Sequence, residues 1–299
     1  MRHAAILVAV PALALVLSDP AAAADGTPSA DQPLMISNEQ QAVAADGGDA
    51  AGEPVPGEPE DAATGEAGQQ SEGLLPGEFS ADVALVSDYI FRGITNTDHN
   101  PAIQGGITYT ADVGLSYMQP YVGFWGSNVD FNDGGEATIE LDVMFGLSGA
   151  VGDLKWNLGG LYYAYPGASS SQNYDYWEIP LQLSYQIDKH LSILGEYAYS
   201  PDFFAGSGNA HYLLAGARWE RPIQAVTLAI EAATGHQWIE DNAAFGTSDY
   251  QDWRVAVSLT YEKITFGIAY TDTDLSRSQC FGGTNQCDPR VTFSVGASF

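Results

Sequence analysis

Apolar and polar residues alternate with a period of two from about residue 79 to the last residue, and that pattern commits the chain to strands. The final nine residues show it most plainly. Val291, Phe293, Val295, Ala297 and Phe299 fall on one face; Thr292, Ser294, Gly296 and Ser298 fall on the other, because successive side chains of a strand point to opposite sides. A strand with one apolar and one small, polar face, ending on an aromatic residue, is expected to close a transmembrane β-barrel. Phe293, Val295 and Phe299 would then form the signal that barrel-assembly machinery reads. A soluble sandwich produces the same alternation, so this strand does not decide the matter alone.

Twelve alternating segments can be traced, at approximately 79–92, 102–110, 114–127, 136–148, 153–165, 176–187, 190–200, 209–219, 224–235, 249–261, 264–272 and 289–299. Ala137, Ile139, Leu141, Val143, Phe145 and Leu147 oppose Glu136, Thr138, Glu140, Asp142, Met144 and Gly146. The third and eighth are ambiguous in register, with Gly and aromatics on both faces. Most are long enough to cross a bilayer when tilted. Short links such as Gly149–Gly152, Asp188–Lys189 and Glu262–Lys263 alternate with longer ones, among them Gly93–Pro101, Pro166–Asp175, His236–Ser248 and Thr273–Asp288. Short turns alternating with long loops is the transmembrane-barrel arrangement. The expected fold is all-β: a transmembrane antiparallel up-and-down β-barrel of about 12 strands, with both termini on the periplasmic side.

Arg2 and His3 precede an apolar run from Ala4 to Leu17, and Ala21–Ala24 offers small-residue cleavage positions. The run is shorter than the roughly 18–20 residues needed to span a bilayer, so residues 1–24 read as a signal peptide. Residues 25–77 contain no Lys, no Arg and no aromatic residue, and are dominated by Ala, Gly, Pro, Asp, Glu and Gln. Such a segment buries too little apolar surface to offset its ordering entropy, so it is expected to be disordered and periplasmic. Residues 78–299 form the barrel. A net charge of −28 argues against nucleic acid as a partner. A mean hydropathy of −0.09 fits strands that alternate between lipid and lumen.

Tyr89-Ile-Phe-Arg-Gly93, then Pro101-Ala-Ile-Gln-Gly-Gly106, then Gly123-Phe-Trp-Gly-Ser-Asn-Val-Asp130 form an ordered series. Glu140-Leu-Asp142, Tyr162-Tyr-Ala-Tyr-Pro-Gly167, Tyr199-Ser-Pro-Asp202 and Asp252-Trp253 continue it. The series resembles the TorF family of porins over essentially all of 79–299. The resemblance implies an outer-membrane barrel assigned as a porin and supplies no substrate; the acidic segment lies outside it.

The register of the segments points Asp82, Asp88, Glu136, Glu140, Asp142, Glu178, Glu196, Glu231 and Asp252 inward, together with Arg92, Lys155, Arg254 and Arg290. These are the expected pore-lining charges, since Arg or Lys on the lipid face would cost about 2–4 kcal/mol near the midplane. Unpaired charge in a narrow lumen is expensive, and Arg92 is expected to pair with Asp88 or with a neighbouring strand. The acidic surplus predicts a mild preference for cations. Tyr89, Phe91, Trp156, Tyr162, Trp177, Tyr185, Trp219, Trp253, Tyr261, Tyr270 and Phe299 fall on the apolar faces, as interfacial girdles would.

Cys280 and Cys287 bracket a short stretch of the last long loop and are expected to form a disulfide that stiffens it, free thiols being the alternative. No metal site is expected there, because zinc–thiolate sites need more ligands at short spacing, and no cofactor is expected elsewhere. His99, His190, His211 and His236 read as polar surface residues. The function expected is passive diffusion of small hydrophilic solutes or ions through a porin in the bacterial outer membrane, with outer-membrane lipid and the assembly machinery as the other partners. A plugged barrel serving a structural or surface-binding role is the alternative. A hydrolase using His99 or His236 with Asp98 or Glu240 lacks any nucleophile motif, so no enzymatic activity is expected.

Overall fold

The computed structural model describes residues 76–135 and 137–299. The expected leader, the acidic segment up to residue 75 and Glu136 lie outside them. In chain order the strands are β1 (Gly77–Val86), β2 (Ile90–Phe91), β3 (Ile94–Thr95), β4 (Ala102–Ala111), β5 (Gln119–Asn128), β6 (Ile139–Val151) and β7 (Leu154–Ala164). They continue with β8 (Tyr176–Gln186), β9 (Leu191–Ser200), β10 (Ala210–Ile223), β11 (Val226–Ile239), β12 (Tyr250–Tyr261), β13 (Ile264–Thr273) and β14 (Arg290–Ser298). All except β2 and β3 join one closed antiparallel barrel of twelve strands, in which each long strand pairs with its neighbours in sequence and β1 with β14 seals the ring. Closure leaves no edge strand, which is what a bilayer demands of spanning backbone.

Alternation decides which residues meet lipid. Ile103, Phe124, Phe266 and Phe293 project outward and are more than half exposed. A continuous belt of that kind around a closed ring is solvated by hydrocarbon, not by water. Aromatics flank the belt. Phe79 packs on Tyr109 near the short turns, and Tyr162 packs on Trp177 near the long loops. Trp156, Tyr185, Trp219 and Tyr261 lie toward the turn end; Trp253 and Tyr270 lie toward the loop end.

Several boundaries differ from the sequence expectation. The third strand begins only at Gln119, because Asp112 accepts the Gly114 amide and turns the chain at a glycine of positive φ. The ninth long strand runs on to Ile239, shortening the following loop. The difference in the first strand matters most. The segment expected to run unbroken over 79–92 leaves the barrel wall after Val86. Tyr89 and Phe91 therefore belong to no lipid-facing girdle: Tyr89 is 1% exposed and points into the lumen.

Candidate functional site in the barrel lumen

Ile90 pairs with Thr95 and Phe91 with Ile94, so β2 and β3 form a tight hairpin around Arg92 and Gly93. Both turn residues have positive φ, 48° and 81°, as a two-residue type I′ turn requires. Glycine adopts that region freely. Arginine does so at a cost of order 1 kcal/mol and keeps the conformation only where its surroundings hold it. Here they do.

The hairpin crosses the barrel from β1 to the opposite wall. The Arg92 guanidinium donates from Nη1 and Nη2 to Glu178 Oε1 and Oε2, at 2.8 and 3.0 Å, and from Nη1 to Gln237 Oε1 at 2.9 Å. Glu196 lies 3.9 Å from Nη2. The guanidinium carbon sits 4.1 Å from the Tyr212 ring centroid and 4.6 Å from that of Phe91. Apart from Phe91 of the hairpin itself, these partners come from β8, β9, β10 and β11. Bidentate guanidinium–carboxylate geometry and cation–π contact are the strong forms of charge pairing. Breaking such a buried pair by removing one partner costs about 3–5 kcal/mol, chiefly because the other charge is left stranded.

Other residues pin the hairpin to the wall. Tyr89 donates its hydroxyl to Glu140 on β6 at 2.9 Å. Asp88 accepts from Thr95 and Thr97 at 2.5 and 3.0 Å and from Arg290 Nη1 at 2.9 Å. A Cβ on Gly93 would strike Thr273 and come within 3.1 Å of the Asp252 side chain, so the turn fits against β12 and β13 only as glycine. Arg92 and Asp88 thus do not pair with each other, contrary to expectation. Each is matched across the lumen, because the hairpin carries them off the wall in different directions.

The last long loop clamps the hairpin from outside. Cys280 and Cys287 are joined in a disulfide and pack with Ile94 and Tyr250. The carbonyl of the adjacent Gln286 accepts the Thr95 amide and a donor of Arg290. An aromatic cluster fills the rest of the loop-side mouth: Tyr174 stacks on Phe204, with Phe131, Tyr165 and Phe203 around them. Burial pushes the Tyr174 phenol up, helped by the hydrogen bond it gives to Asp133. Outside, one backbone and one side-chain donor of Asn209 hold the Glu240 carboxyl below its usual range.

The lumen is consequently asymmetric. In its loop-side half Glu140, Tyr163, Glu178, Glu196, Tyr212 and Gln237 are each at most 2% exposed. In its turn-side half some inward positions, such as Ser258 and Gly267, are small and partly open to solvent, while others, such as Tyr121, Ser148, Asn157 and Thr265, are buried. One group of charges there is paired: Glu231 receives Arg218 at 3.5 Å and Arg254 at 3.4 Å, and Arg218 also pairs with Glu220.

Among the residues expected to line a pore, Glu140, Asp142, Glu178, Glu196 and Asp252 face the sealed half. Asp82, Lys155, Glu231 and Arg254 lie on inward positions of the turn-side half, while Arg290 and Asp88 meet at the loop rim. Glu196 accepts from Gln182, and Asp252 from the Tyr212 hydroxyl at 3.2 Å. His99 stands 2.8 Å from Arg290 and 3.4 Å from Asp88 at the rim; His236 stacks beside Trp238 on the outer face. Sequence reasoning missed Gln237, Tyr163, Tyr212 and Gly93. It missed Arg218 because the register of that strand was ambiguous. The signal for the hairpin was present: an Arg-Gly pair flanked by Ile-Phe and Ile-Thr is a two-residue turn between β-formers.

Residues 70–299 match the model of the Gcw_chp family, described as a bacterial protein of unknown function, and the chain belongs to that family. No curated protein matches it. Among solved structures, the chain is similar to the NanC porin, with 12% identity over 74% of this chain and 99% of that one and a TM-score of 0.44. It is similar to an outer membrane channel from Pseudomonas putida F1, with 10% identity over 79% and 100% and a TM-score of 0.44. It is also similar to LpxR from Salmonella typhimurium, with 10% identity over 74% and 99% and a TM-score of 0.43.

Proposed function

We propose that this Gcw_chp-family barrel is an outer-membrane channel for passive diffusion of small hydrophilic solutes or ions, held shut in the conformation described by its own lumen hairpin. One observation carries the reading. The segment that blocks the lumen is a separate hairpin whose ladder never joins the wall, while the turn-side half beneath it carries charged and polar inward residues such as Arg218, Glu231, Arg254 and Ser258. A barrel with a purely structural role has no need of a plug that is separable from its wall.

The chemistry of the wall supports cations over anions. Glu140, Asp142, Glu178, Glu196 and Asp252 line the level that the hairpin occupies, and rings of carboxylates favour cations. The resemblance of residues 79–299 to TorF-family porins supports the channel reading and is silent on the solute. The turns and both ends of the barrel chain share one side, which we assign to the periplasm, with the acidic segment tethered there and the long loops outside.

The test is single-channel recording from the full-length protein refolded into a planar bilayer under a salt gradient. Rare discrete steps whose frequency rises when the hairpin is loosened, with a cation-favouring reversal potential, are expected. Silence from folded protein, including a variant lacking residues 88–97, would move the assignment to a non-conducting barrel.

A further inference from the structure

We infer that the seat now filled by the Arg92 guanidinium is a receptor for an organic cation with a guanidinium-like head, a solute that occupies it when the hairpin withdraws. The inference rests on the channel reading above and names the solute class that the channel would favour.

The seat belongs to the wall. Of the groups around the guanidinium, only Phe91 leaves with the hairpin. Glu178 on β8, Glu196 on β9, Tyr212 on β10 and Gln237 on β11 stay behind. They form a two-oxygen fork, a side-chain carbonyl and an aromatic face in the arrangement that a flat, multiply donating cation matches. Tyr163 steadies the fork by donating to Glu178 Oε2 at 3.1 Å.

Charge excludes other occupants. Glu140, Asp142, Glu178, Glu196 and Asp252 are all buried at this level, and among the described residues Arg92 is the guanidinium set between them. Asp142 points the same way: its Oδ1 is buried without a hydrogen-bond donor. Removing Arg92 without replacement would leave these carboxylates facing one another without a counter-charge, which favours a positive incoming group over a neutral or negative one. A compact inorganic ion meets the charge but not the geometry. No group of His, Cys, Asp and Glu among the described residues is arranged to hold a metal ion, and a strongly hydrated ion gains less than a guanidinium from the Tyr212 ring.

The hairpin is pinned by side chains but is not part of the wall. Its ladder is internal, and it is joined to the remainder through side chains and through main-chain bonds such as Thr95 N to Gln286 O and Asp130 N to Asn96 O. Withdrawal breaks no rung of the barrel.

The test uses the full chain and its Arg92→Ala variant, which vacates the seat and leaves the wall intact, with millimolar guanidinium chloride as probe and sodium chloride and a neutral pentose as comparators. Guanidinium is expected to raise the melting temperature of Arg92→Ala at concentrations where sodium does nothing. Adding Glu178→Gln should weaken that binding about tenfold or more. In bilayers, reversal potentials of Arg92→Ala should rank guanidinium above sodium. Equal responses to guanidinium and sodium in a conducting variant overturn the receptor and leave the channel standing. Guanidinium-specific binding with no current in any variant upholds the receptor and overturns the channel. Neither binding nor current, from folded protein, overturns both.

Discussion

Replacing Glu178 by Gln should release the lumen hairpin while sparing the barrel. The substitution keeps the shape of the side chain and removes the charge that meets Arg92 through two hydrogen bonds. Stranding one member of a buried pair costs about 3–5 kcal/mol. Gln237 at 2.9 Å and Glu196 at 3.9 Å still face the guanidinium, so the lower end applies. About 3 kcal/mol corresponds to roughly a hundredfold shift toward the withdrawn hairpin, at about 1.4 kcal/mol per decade. Hydrogen exchange reads that shift directly, because local opening sets the exchange of each amide. The amides of Ile90–Thr95 should exchange about a hundredfold faster in Glu178→Gln, while those of β8 and β11 keep their wild-type rates. Arg92→Ala should do the same, and the double variant should fall well short of the sum, as coupled partners do. Unchanged hairpin exchange would refute the pairing as the latch. Equal acceleration in hairpin and wall would mean that Glu178 serves barrel stability and not the plug.

Gly93→Ala should loosen the hairpin by a separate route, since its φ of 81° disfavours a Cβ that would also strike Thr273; hairpin amides should exchange at least about tenfold faster. Reducing the Cys280–Cys287 disulfide, which closes a loop with a sequence separation of 7, should cost about 2 kcal/mol by loop entropy, seen as a lower melting temperature and faster exchange at the Thr95 amide. Val257→Arg, on the lipid belt between Ile230 and Ile268, should lower barrel stability by about 2–4 kcal/mol in a urea titration, whereas Ser258→Arg on the lumen side should cost much less. Asp288 is held below its ordinary value by Arg277. A depressed folded value means that this pairing stabilises the loop fully above the unfolded Asp value of about 3.9 and loses its effect as pH falls through the folded value; a carboxyl titration by NMR at or above the ordinary value would refute it.

Sequence alone determined the barrel. A period-two pattern repeated over twelve segments, with short and long links in turn, has no other economical solution in lipid, because every spanning amide must be paired within a closed sheet. The pattern also set which residues face inward, since register on a half-apolar strand cannot slip by one without turning every side chain over. Glu140, Glu178, Glu196 and Asp252 were legible for that reason. Tertiary structure decided what the lumen holds. Tyr89, Phe91 and Arg92 continue the alternation of β1, so period alone counts them as wall. Only closure of the ring places Glu178 and Gln237 opposite them, separated from Arg92 by 86 and 145 residues in sequence. Local pattern specifies faces and lengths; a salt bridge across a barrel depends on which strands the closed ring sets opposite each other, and no short stretch of sequence carries that information.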